Sequence, residues 1–490
     1  METAVREKRN IEAAVSRVYL WLMLLGLPMV IRDGYFDITE VKTVWFAGWS
    51  VLFLLFRGAM ALQHGAEPSP PRAGDLFALA LCVLTLFSSI MSGFFTESFL
   101  GTRGRWQGTG MIWIYAALFF AMPEKEIRER DVFLPLGAGL AVTGTLAVLQ
   151  HLGWDVLGLS AELTAFDRGR YISTLGNINF AGAYLTLAVP VTLWRLLNAE
   201  RGLRQALLTG LALLGLWACM AVRSECTVLG IGAALVLMPF LLRGRAAALR
   251  RWALLWPGMA AGMQVYGLLI GWRGARFSAL TRLLLHPAVS AVLAVIGLLV
   301  WLLLRKQGEN ADRSAVGVYG GMLLAALLLG AAALTLLNTV WKSVPLGSMG
   351  TWLHFSDSWG TDRVKVWRYC LGLYRSFPLP DKLLGGGCGV LARLDVTRRI
   401  FPDAILDAAH SEYLQILLNW GALGLIAWLG WLGFTFRDIL RQGESAPLAL
   451  LAGLLGYAVQ AAVNIAQTPG IALFFLLLAM AGRKSDSCGH

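Results

Sequence analysis

Long apolar runs recur along the whole 490-residue chain, and they constrain its fold more than any other feature. Most have about 17–22 residues, enough to cross the roughly 30 Å hydrocarbon core of a membrane. Only helices close their backbone hydrogen bonds span by span there, so we predict an all-α, polytopic transmembrane helical bundle. We count about 14 spans, or 12–14 because two runs are short: near 15–32, 42–62, 75–93, 109–122, 131–151, 178–197, 206–222, 226–242, 252–271, 283–304, 315–338, 411–436, 446–463 and 470–482.

Composition agrees with a membrane protein, since 57% of the residues are hydrophobic and only 15% are charged. The first apolar run lacks a following small-residue cleavage site, so we expect it to be retained as a span. The net charge of +12 lies mostly in short loops, without a basic aromatic domain that would bind nucleic acid.

Lys and Arg predict the orientation. With both termini in the cytoplasm, the inside loops carry about half of all Lys and Arg, as the positive-inside rule requires. These loops are METAVREKRN, the stretch around Arg72, PEKEIRERD, NAERGLR, RGRAAALRR, RKQGENADR, RDILRQ and RKSDSCGH.

This threading leaves one large outside segment, 339–409, of about 70 residues, placed between the eleventh and twelfth spans. We therefore predict three parts: 1–338 with eleven transmembrane helices, 339–409 as an external segment with amphipathic helices, and 410–490 with three more spans and a short cytoplasmic tail.

Three short outside loops are rich in Arg and Gly, against the topology trend. They are FFTESFLGTRGRWQGTG (94–110), FDRGRYISTLGNIN (166–179) and GWRGARFSALTR (271–282). A bound anion is the natural explanation for basic residues on this side.

The stretch TDRVKVWRYCLGLYRSF, 361–377, predicts an amphipathic helix in the large segment. Thr361 is its expected N-cap. Its apolar stripe is predicted to hold Val364, Trp367, Leu371 and Tyr374, opposite Lys365, Arg368 and Arg375. Arg363 in the first turn opposes the helix dipole, which makes sense if it holds an anion. The alternative is an interfacial Arg that touches lipid headgroups.

The Gly-rich stretch DKLLGGGCGV, 381–390, is not a phosphate-binding loop of nucleotide hydrolases, since it has no GK[ST] and no preceding strand. A tight backbone turn near a substrate or another helix is the expected use.

Arg223 lies in a very short turn between two apolar runs, at the outer lipid boundary. An Arg there is costly unless it is paired or faces a wet cavity. It is expected either to form a salt bridge with Glu225 or to point into an external cavity.

His410 precedes an apolar run at the point where lipid should begin. We place it within the first turn of that helix, where the dipole favours a neutral base. Asp407, three residues earlier, would orient the ring and raise its pKa, and the sequence leaves open which of the two effects prevails. An ordinary imidazole would lose its base function below about pH 6. The alternative is a plain interfacial histidine.

The six cysteines show neither CxxC nor metal-ligand spacing, so neither a zinc site nor a disulfide framework is predicted. Asp395, Asp403 and Asp407 remain as a small residual possibility for a metal site.

Several motifs occur in a fixed order: GNINFAGAYL after an Arg-containing loop, a span-end Arg followed by Ser, Arg-x3-Trp with a Gly-rich stretch downstream, and HSEYLQ opening the next span. From about Gly101 to Gly424, this order resembles the O-antigen ligase and O-antigen polymerase superfamily of bacterial membrane glycosyltransferases. The chain departs from the common pattern at Ile178, Val222, Asp362 and Ser411, which leaves the subfamily in doubt.

The resemblance implies transfer of a glycan from undecaprenyl pyrophosphate to an acceptor hydroxyl on the outer face of the cytoplasmic membrane. The acceptor is a glycan, lipid or protein hydroxyl. It implies no metal and no cofactor. It assigns catalytic roles to His410 as base and to Arg363 and Arg223 as pyrophosphate ligands. The expected substrate-binding residues are Arg105, Arg170, Asn177, Asn179, Lys365, Trp367 and Tyr413.

Other readings remain open. A ligase and a repeat-unit polymerase share this donor chemistry. A flippase of lipid-linked oligosaccharides would also have many spans, although it should carry charges deep within several of them. A peptidoglycan polymerase would share the architecture, but no separate motif points to one.

Overall fold

The structure is a computed structural model that describes residues 2–65, 71–122, 128–273, 276–306, 312–347, 350–398, 400–402 and 405–482. With 77% helix and 1% strand, the fold is all-α as predicted. The helices are α1 (Glu2–Trp21), α2 (Leu27–Met29), α3 (Ile38–His64), α4 (Ala73–Met91), α5 (Phe95–Leu100), α6 (Thr109–Ala121), α7 (Glu129–His151), α8 (Ile178–Leu197), α9 (Leu203–Val222), α10 (Glu225–Leu241), α11 (Ala246–Arg273), α12 (Ala279–Leu285), α13 (Pro287–Lys306), α14 (Asp312–Thr339), α15 (Gly350–Leu353), α16 (Trp359–Ser376), α17 (Leu379–Leu384), α18 (Val390–Arg398), α19 (Glu412–Gln442), α20 (Ser445–Ala461) and α21 (Gly470–Gly482).

Three short elements complete the fold. A π-helical turn, Leu22–Gly26, joins α1 to α2. A 3-10 turn, Asp167–Gly169, precedes the two-residue strands β1 (Tyr171–Ile172) and β2 (Gly176–Asn177). The strands pair antiparallel, with Tyr171 opposite Asn177, and lead directly into α8.

In the described residues, ten helices are long and apolar enough to cross a membrane: Asn10–Met29, Ile38–His64, Ala73–Met91, Glu129–His151, Ile178–Leu197, Leu203–Val222, Ala246–Gly271, Pro287–Lys306, Arg313–Thr339 and Glu412–Gln442. Four shorter apolar helices, α6, α10, α20 and α21, coincide with the remaining predicted runs. The prediction of a polytopic helical membrane protein is therefore confirmed at this coarser level.

The centre of the bundle is formed by α8, α20 and α21, and its edge by α13 and α14. In α8, 89% of the apolar window is buried, whereas α13 has 11% and α14 has none. Nearly every residue of α21 is buried, because its sequence is apolar on all faces. Gly182 lets α8 approach Thr227 of α10 closely, as small residues do where membrane helices pack.

The two ends of the bundle differ. At the end that we call the basic end (residues 72, 197–199, 243–251, 304, 443–445 and 482), arginines meet the C-termini of helices. Arg72 donates to the carbonyl of Gly482, Arg251 to that of Leu197, and Arg245 to that of Gly443. The opposite end, which we call the site end (101–108, 169–178, 223–226, 360–363, 407–411 and 463–469), gathers the loops predicted to bind substrate.

The segment 339–409 folds as four helices, α15 to α18, within its described residues. An amphipathic helix is present, but two details of its prediction are wrong. The buried stripe of α16 consists of Val366, Cys370 and Leu373, and Phe377 continues it just after the helix. Of the predicted stripe, Trp367 and Tyr374 pack against this cluster, whereas Leu371 is 40% exposed. The face is shifted because α16 packs against α18 and the start of α19 around Leu391 and Leu418.

Thr361 does not cap α16. Its φ of 62° and ψ of 58° are left-handed, as are those of Gly360 and Asp362, whereas an N-cap needs extended backbone. Arg363 is the first residue with helical geometry after this three-residue turn, so its expected place in the first turn is confirmed.

The Gly-rich stretch makes a tight turn against another helix, as expected. Helix α19 is broken at Gly421, where φ is 67° and ψ is −172°. The break frees the carbonyls of Leu418 and Asn419, which accept hydrogen bonds from the backbone N–H groups of Gly386 and Gly387, both 3.0 Å. A Cβ at Gly385 or Gly421 would collide with the opposing backbone.

Candidate functional site

Hydrogen bonds between distant segments assemble the site end. Arg223 Nη2 donates to the carbonyl of Gly169, 3.1 Å away, and Ser224 Oγ to Asn179 Oδ1, 2.9 Å away. Arg363 Nη2 lies 3.4 Å from Cys226 Sγ, three residues beyond Arg223. Segment 339–409 is thus attached to the turn that carries Arg223.

His410 lies two residues before α19, and not within its first turn as expected. Ser411 is the N-cap, and its hydroxyl accepts from Leu414 N–H. His410 itself has a left-handed φ of 50° and is half-buried. Burial, and then the positive charges of Arg363 and Arg105, lower the pKa of His410 to about 4, while Asp407 only partly opposes them. The imidazole is therefore neutral at pH 7 and remains so well below pH 6.

Asp407 pairs with Arg105, and no hydrogen bond joins it to His410 within the described residues. Arg105 Nε and Nη2 each lie 2.9 Å from one carboxylate oxygen of Asp407, in a bidentate pair. These residues are 302 positions apart. Asp407 raises the pKa of His410, as expected, but burial and the two arginines outweigh it.

Arg363 emerges from the left-handed turn at the start of α16. Its Nη1 donates to the carbonyl of Gly360 at 2.6 Å, which fixes the plane of the guanidinium. Its Nε is buried and has no hydrogen-bond partner among the described residues. A guanidinium with an unused donor at the beginning of a helix is suited to an anion.

Arg223 caps α9 with a left-handed φ of 56°. In the described part of the chain no ion pair joins it to Glu225, so the expected alternative of a salt bridge that closes the turn is wrong. It lies instead within electrostatic range of His151 and Tyr266, whose side chains are 2.8 Å apart. Its Nε, like that of Arg363, is buried without a partner in the described structure.

Strained backbone is concentrated at this end of the molecule. Six non-glycine residues in the described ranges have positive φ: Trp106, Ser173, Arg223, Thr361, Asp362 and His410. Each such residue costs on the order of 1–3 kcal/mol, and this kind of strain gathers at functional sites. Here it falls on two predicted catalytic residues and next to a third, and on a neighbour of Arg105.

The other predicted binding residues are distributed unevenly. Asn179 accepts from Ser224 and so positions the turn of Arg223, and Asn177 is the N-cap of α8. Arg170 is exposed and stacks over Phe166 at 3.8 Å. Trp367 is half-buried, with an indole N–H that has no partner among the described residues.

Two predicted binding residues are engaged within the protein. Lys365 Nζ donates to the carbonyl of Ile400 at 3.0 Å and lies over the ring of Phe401. Tyr413 donates to the carbonyl of Ala458 at 2.6 Å, which turns its hydroxyl toward α20. The structure brings Arg105, Arg223, Arg363 and His410 to one end and points these two side chains elsewhere.

Sequence reasoning missed the segment between α20 and α21, residues 462–469. Asn464 donates to the carbonyl of Asn179, and Gln467 to that of Gly104, so the segment joins the two Arg-rich loops. Thr468 accepts from Gln107. The cluster of polar residues in NIAQTP, between two apolar runs, was the available signal.

The described residues contain no group of three His, Cys, Asp or Glu that would hold a metal ion. Asp395 is fully buried and accepts from the backbone of Leu406, Asp407 pairs with Arg105, and Asp403 lies outside the described residues. The five described cysteines are free thiols, and Cys488 lies outside these ranges.

No model of a known protein family matches the chain, and a search of curated proteins finds no match. A functional argument therefore starts from the motifs and the geometry of the site.

Proposed function

We propose that the protein is a membrane glycosyltransferase of the O-antigen ligase type. It transfers a glycan from undecaprenyl pyrophosphate to an acceptor hydroxyl on the outer face of the cytoplasmic membrane. The observation that carries the proposal is the convergence of Arg105, Arg363 and His410, from segments far apart in sequence, where Arg363 and Arg105 both act electrostatically on the His410 ring.

The topology belongs to the same proposal. All 14 apolar helices cross the membrane, the four short ones being enclosed by longer neighbours. Both termini and the basic end face the cytoplasm, and the external segment 339–409 covers the site end. The basic end supports this orientation because it unites several of the Arg-rich loops that the positive-inside rule assigns to the cytoplasm.

The chemical step needs a base and a site for the leaving group. The acceptor oxygen attacks the anomeric carbon, and its proton goes to the neutral imidazole of His410. The bond between that carbon and the pyrophosphate oxygen breaks, and the electron pair leaves with the pyrophosphate. Arg363 and Arg223 stabilise the charge that develops on it through their guanidinium groups.

The two arginines near His410 also couple donor binding to the base. In the free protein their positive charges contribute to the low pKa of the ring. A bound pyrophosphate neutralises them and favours the protonated imidazole, which makes His410 a stronger base once the donor is in place. By resemblance, no metal ion takes part in this step.

The decisive experiment measures donor binding and transfer on the same purified His410→Ala protein. Loss of a general base costs about 10²–10⁴-fold in rate, so transfer should nearly vanish while the donor still binds. Near-normal transfer would contradict the assigned base. Loss of donor binding would make His410 a pyrophosphate ligand.

Deletion of the gene and analysis of surface glycans separates the two members of the superfamily. Full-length glycan that accumulates on its carrier indicates a ligase, and single repeat units indicate a polymerase. Intermediates trapped inside would instead indicate a flippase and contradict the proposal.

A further inference from the structure

An open pocket of about 640 Å³ lies at the basic end of the bundle, within the size range of ligand-binding clefts. It is formed by the link between α10 and α11, the start of α14, the end of α19 and the start of α20. Helices α14 and α19 are both long enough to cross a membrane. Their ends, and with them the pocket, therefore lie at the depth of the lipid headgroups.

Three arginines from two separate parts of the chain line this pocket. Arg243 and Arg245 flank Gly244 in the link between α10 and α11, and Arg313 lies in the first turn of α14. No Asp or Glu is among the described side chains that line it. Like charges around one space repel each other, so the pocket favours an anion.

Two of these arginines are not engaged within the protein. Arg245 donates to the carbonyl of Gly443 at 3.1 Å, which fixes its guanidinium beside the pocket. Arg243 and Arg313 are exposed, and neither forms a hydrogen bond or an ion pair with another described residue. Their guanidinium groups are therefore available to a ligand.

The nearby acidic residues do not neutralise this charge. Asp438, in the last turns of α19, pairs with Arg437 at 3.0 Å. Glu444, which precedes α20, does not line the pocket. The positive charge of the pocket is thus left for an anion from outside the chain.

Exposed apolar side chains lie beside the arginines and favour a lipid over a soluble anion. Phe240 lies one turn before Arg243, and Leu440 one turn before Gly443, so both lie closer to the hydrocarbon core. They line the pocket and are 37% and 51% exposed. A soluble anion would use only the arginines, whereas a phospholipid has acyl chains next to its phosphate.

We propose that this pocket binds an anionic phospholipid, with its phosphate on Arg243 and Arg313 and its acyl chains against Phe240 and Leu440. Guanidinium groups bind phosphate oxygens through paired hydrogen bonds. Basic pockets between membrane helices are suited to anionic headgroups. Such binding does not require glycan transfer, since none of these residues belongs to the site end.

A lipid bound here secures α14, the least buried of the ten long apolar helices in the described residues. Tyr319 of α14 donates to the carbonyl of Val236 in α10 at 2.9 Å. A headgroup held by Arg243 and Arg313 adds a second connection between the same two helices, at their ends. Because the ligand binds only the folded protein, it raises the thermal stability.

The test measures lipid binding to the full-length purified protein in detergent by native mass spectrometry. The probes are phosphatidylglycerol and phosphatidylcholine with the same acyl chains, so they differ only in the headgroup. Phosphatidylglycerol should bind about tenfold or more tightly and should raise the Tm. Equal affinities would overturn the proposal. Inorganic phosphate that binds as tightly as phosphatidylglycerol would overturn the lipid as occupant.

The double variant Arg243→Gln, Arg313→Gln tests the assigned ligands. Each arginine near an anionic headgroup contributes about fivefold, so the variant should bind phosphatidylglycerol about 25-fold more weakly and lose the rise in Tm. The matched control is Arg204→Gln, an exposed position in the first turn of α9 and outside the pocket, which should retain both. Wild-type affinity in the folded double variant would overturn the proposal, and so would an equal loss in Arg204→Gln.

Discussion

Arginine serves different purposes at the two ends of the bundle. At the basic end, Arg72, Arg245 and Arg251 donate to carbonyls at helix C-termini, where the helix dipole is negative. At the site end, Arg223 and Arg363 keep a buried Nε without a partner, and no carboxylate of the described residues forms an ion pair with them.

The backbone differs in the same way. Every non-glycine residue with positive φ in the described ranges lies at or next to the site end, and none lies at the basic end. The charge of these three arginines at the basic end is matched within the protein, so it stabilises the fold. At the site end, Arg105 is paired with Asp407, but Arg223 and Arg363 have no ion-pair partner among the described residues and the backbone is strained, which is the condition expected where a ligand completes the structure.

The largest expected effect concerns which end faces outward. If the proposed orientation holds, Val344→Cys, in segment 339–409, should react with an impermeant maleimide on intact cells. Ala247→Cys, at the basic end, should react only after permeabilisation. Both positions are exposed. The unsubstituted protein gives the background, and labelling of position 247 on intact cells would reverse the orientation and remove the mechanism.

Arg363→Lys and Arg251→Lys sharpen the contrast between the two uses of arginine. Lysine keeps the charge but loses the planar, bidentate geometry, so Arg363→Lys should lower transfer by about 10²-fold. Arg251→Lys should stay near wild type, because an ammonium also binds helix C-terminal carbonyls. Transfer rates are compared at equal amounts of each variant in the membrane. Equal losses in Arg363→Lys and Arg251→Lys would show that the two arginines do not differ in their use.

The pH profile tests the electrostatics around His410. Transfer needs the neutral ring, so kcat/KM should fall only as the pH drops through about 4. The fall in kcat should occur at a higher pH than the fall in kcat/KM, because a bound pyrophosphate raises the pKa of His410.

Arg105→Gln provides the matched change in that profile. The substitution removes a positive charge that lowers the pKa of His410. It also frees Asp407, whose negative charge raises that pKa. The pH at which kcat/KM falls should therefore move toward 6.5. Arg251→Gln should leave this pH unchanged. An unchanged pH in Arg105→Gln would mean that another group controls the titration.

The smallest expected effect concerns Glu225. Because it forms no ion pair with Arg223 in the described structure, Glu225→Ala should transfer at close to the wild-type rate, whereas Arg223→Ala should lose most transfer. Comparable losses in the two variants would show that the pair forms during the reaction and that Arg223 is partly structural.

The sequence predicts local features well and pairings poorly. Apolar runs give the helices, because span length is set by the hydrocarbon core. The place of Arg363 at the start of its helix also follows from local pattern. The pairing of Arg105 with Asp407 leaves no such pattern, since 302 residues separate them and neither periodicity nor spacing relates the two.

Backbone conformation explains the remaining errors. Thr361 matches the preferred residue types of an N-cap, but the left-handed turn at 360–362 overrides that preference. The buried face of α16 is chosen by its contact with α19, which the helical pattern alone does not specify.

The break at Gly421 has a consequence for how such a protein changes over time. The Gly-rich turn is joined to α19 by main-chain groups, so the connection does not depend on which side chains surround it. Side chains around the Gly-rich turn can therefore change while this main-chain contact with α19 persists. Chimeras that keep Gly385, Gly386, Gly387 and Gly421 would retain this anchor for a new segment 339–409, and under the proposed function they would separate glycan preference from the architecture of the bundle.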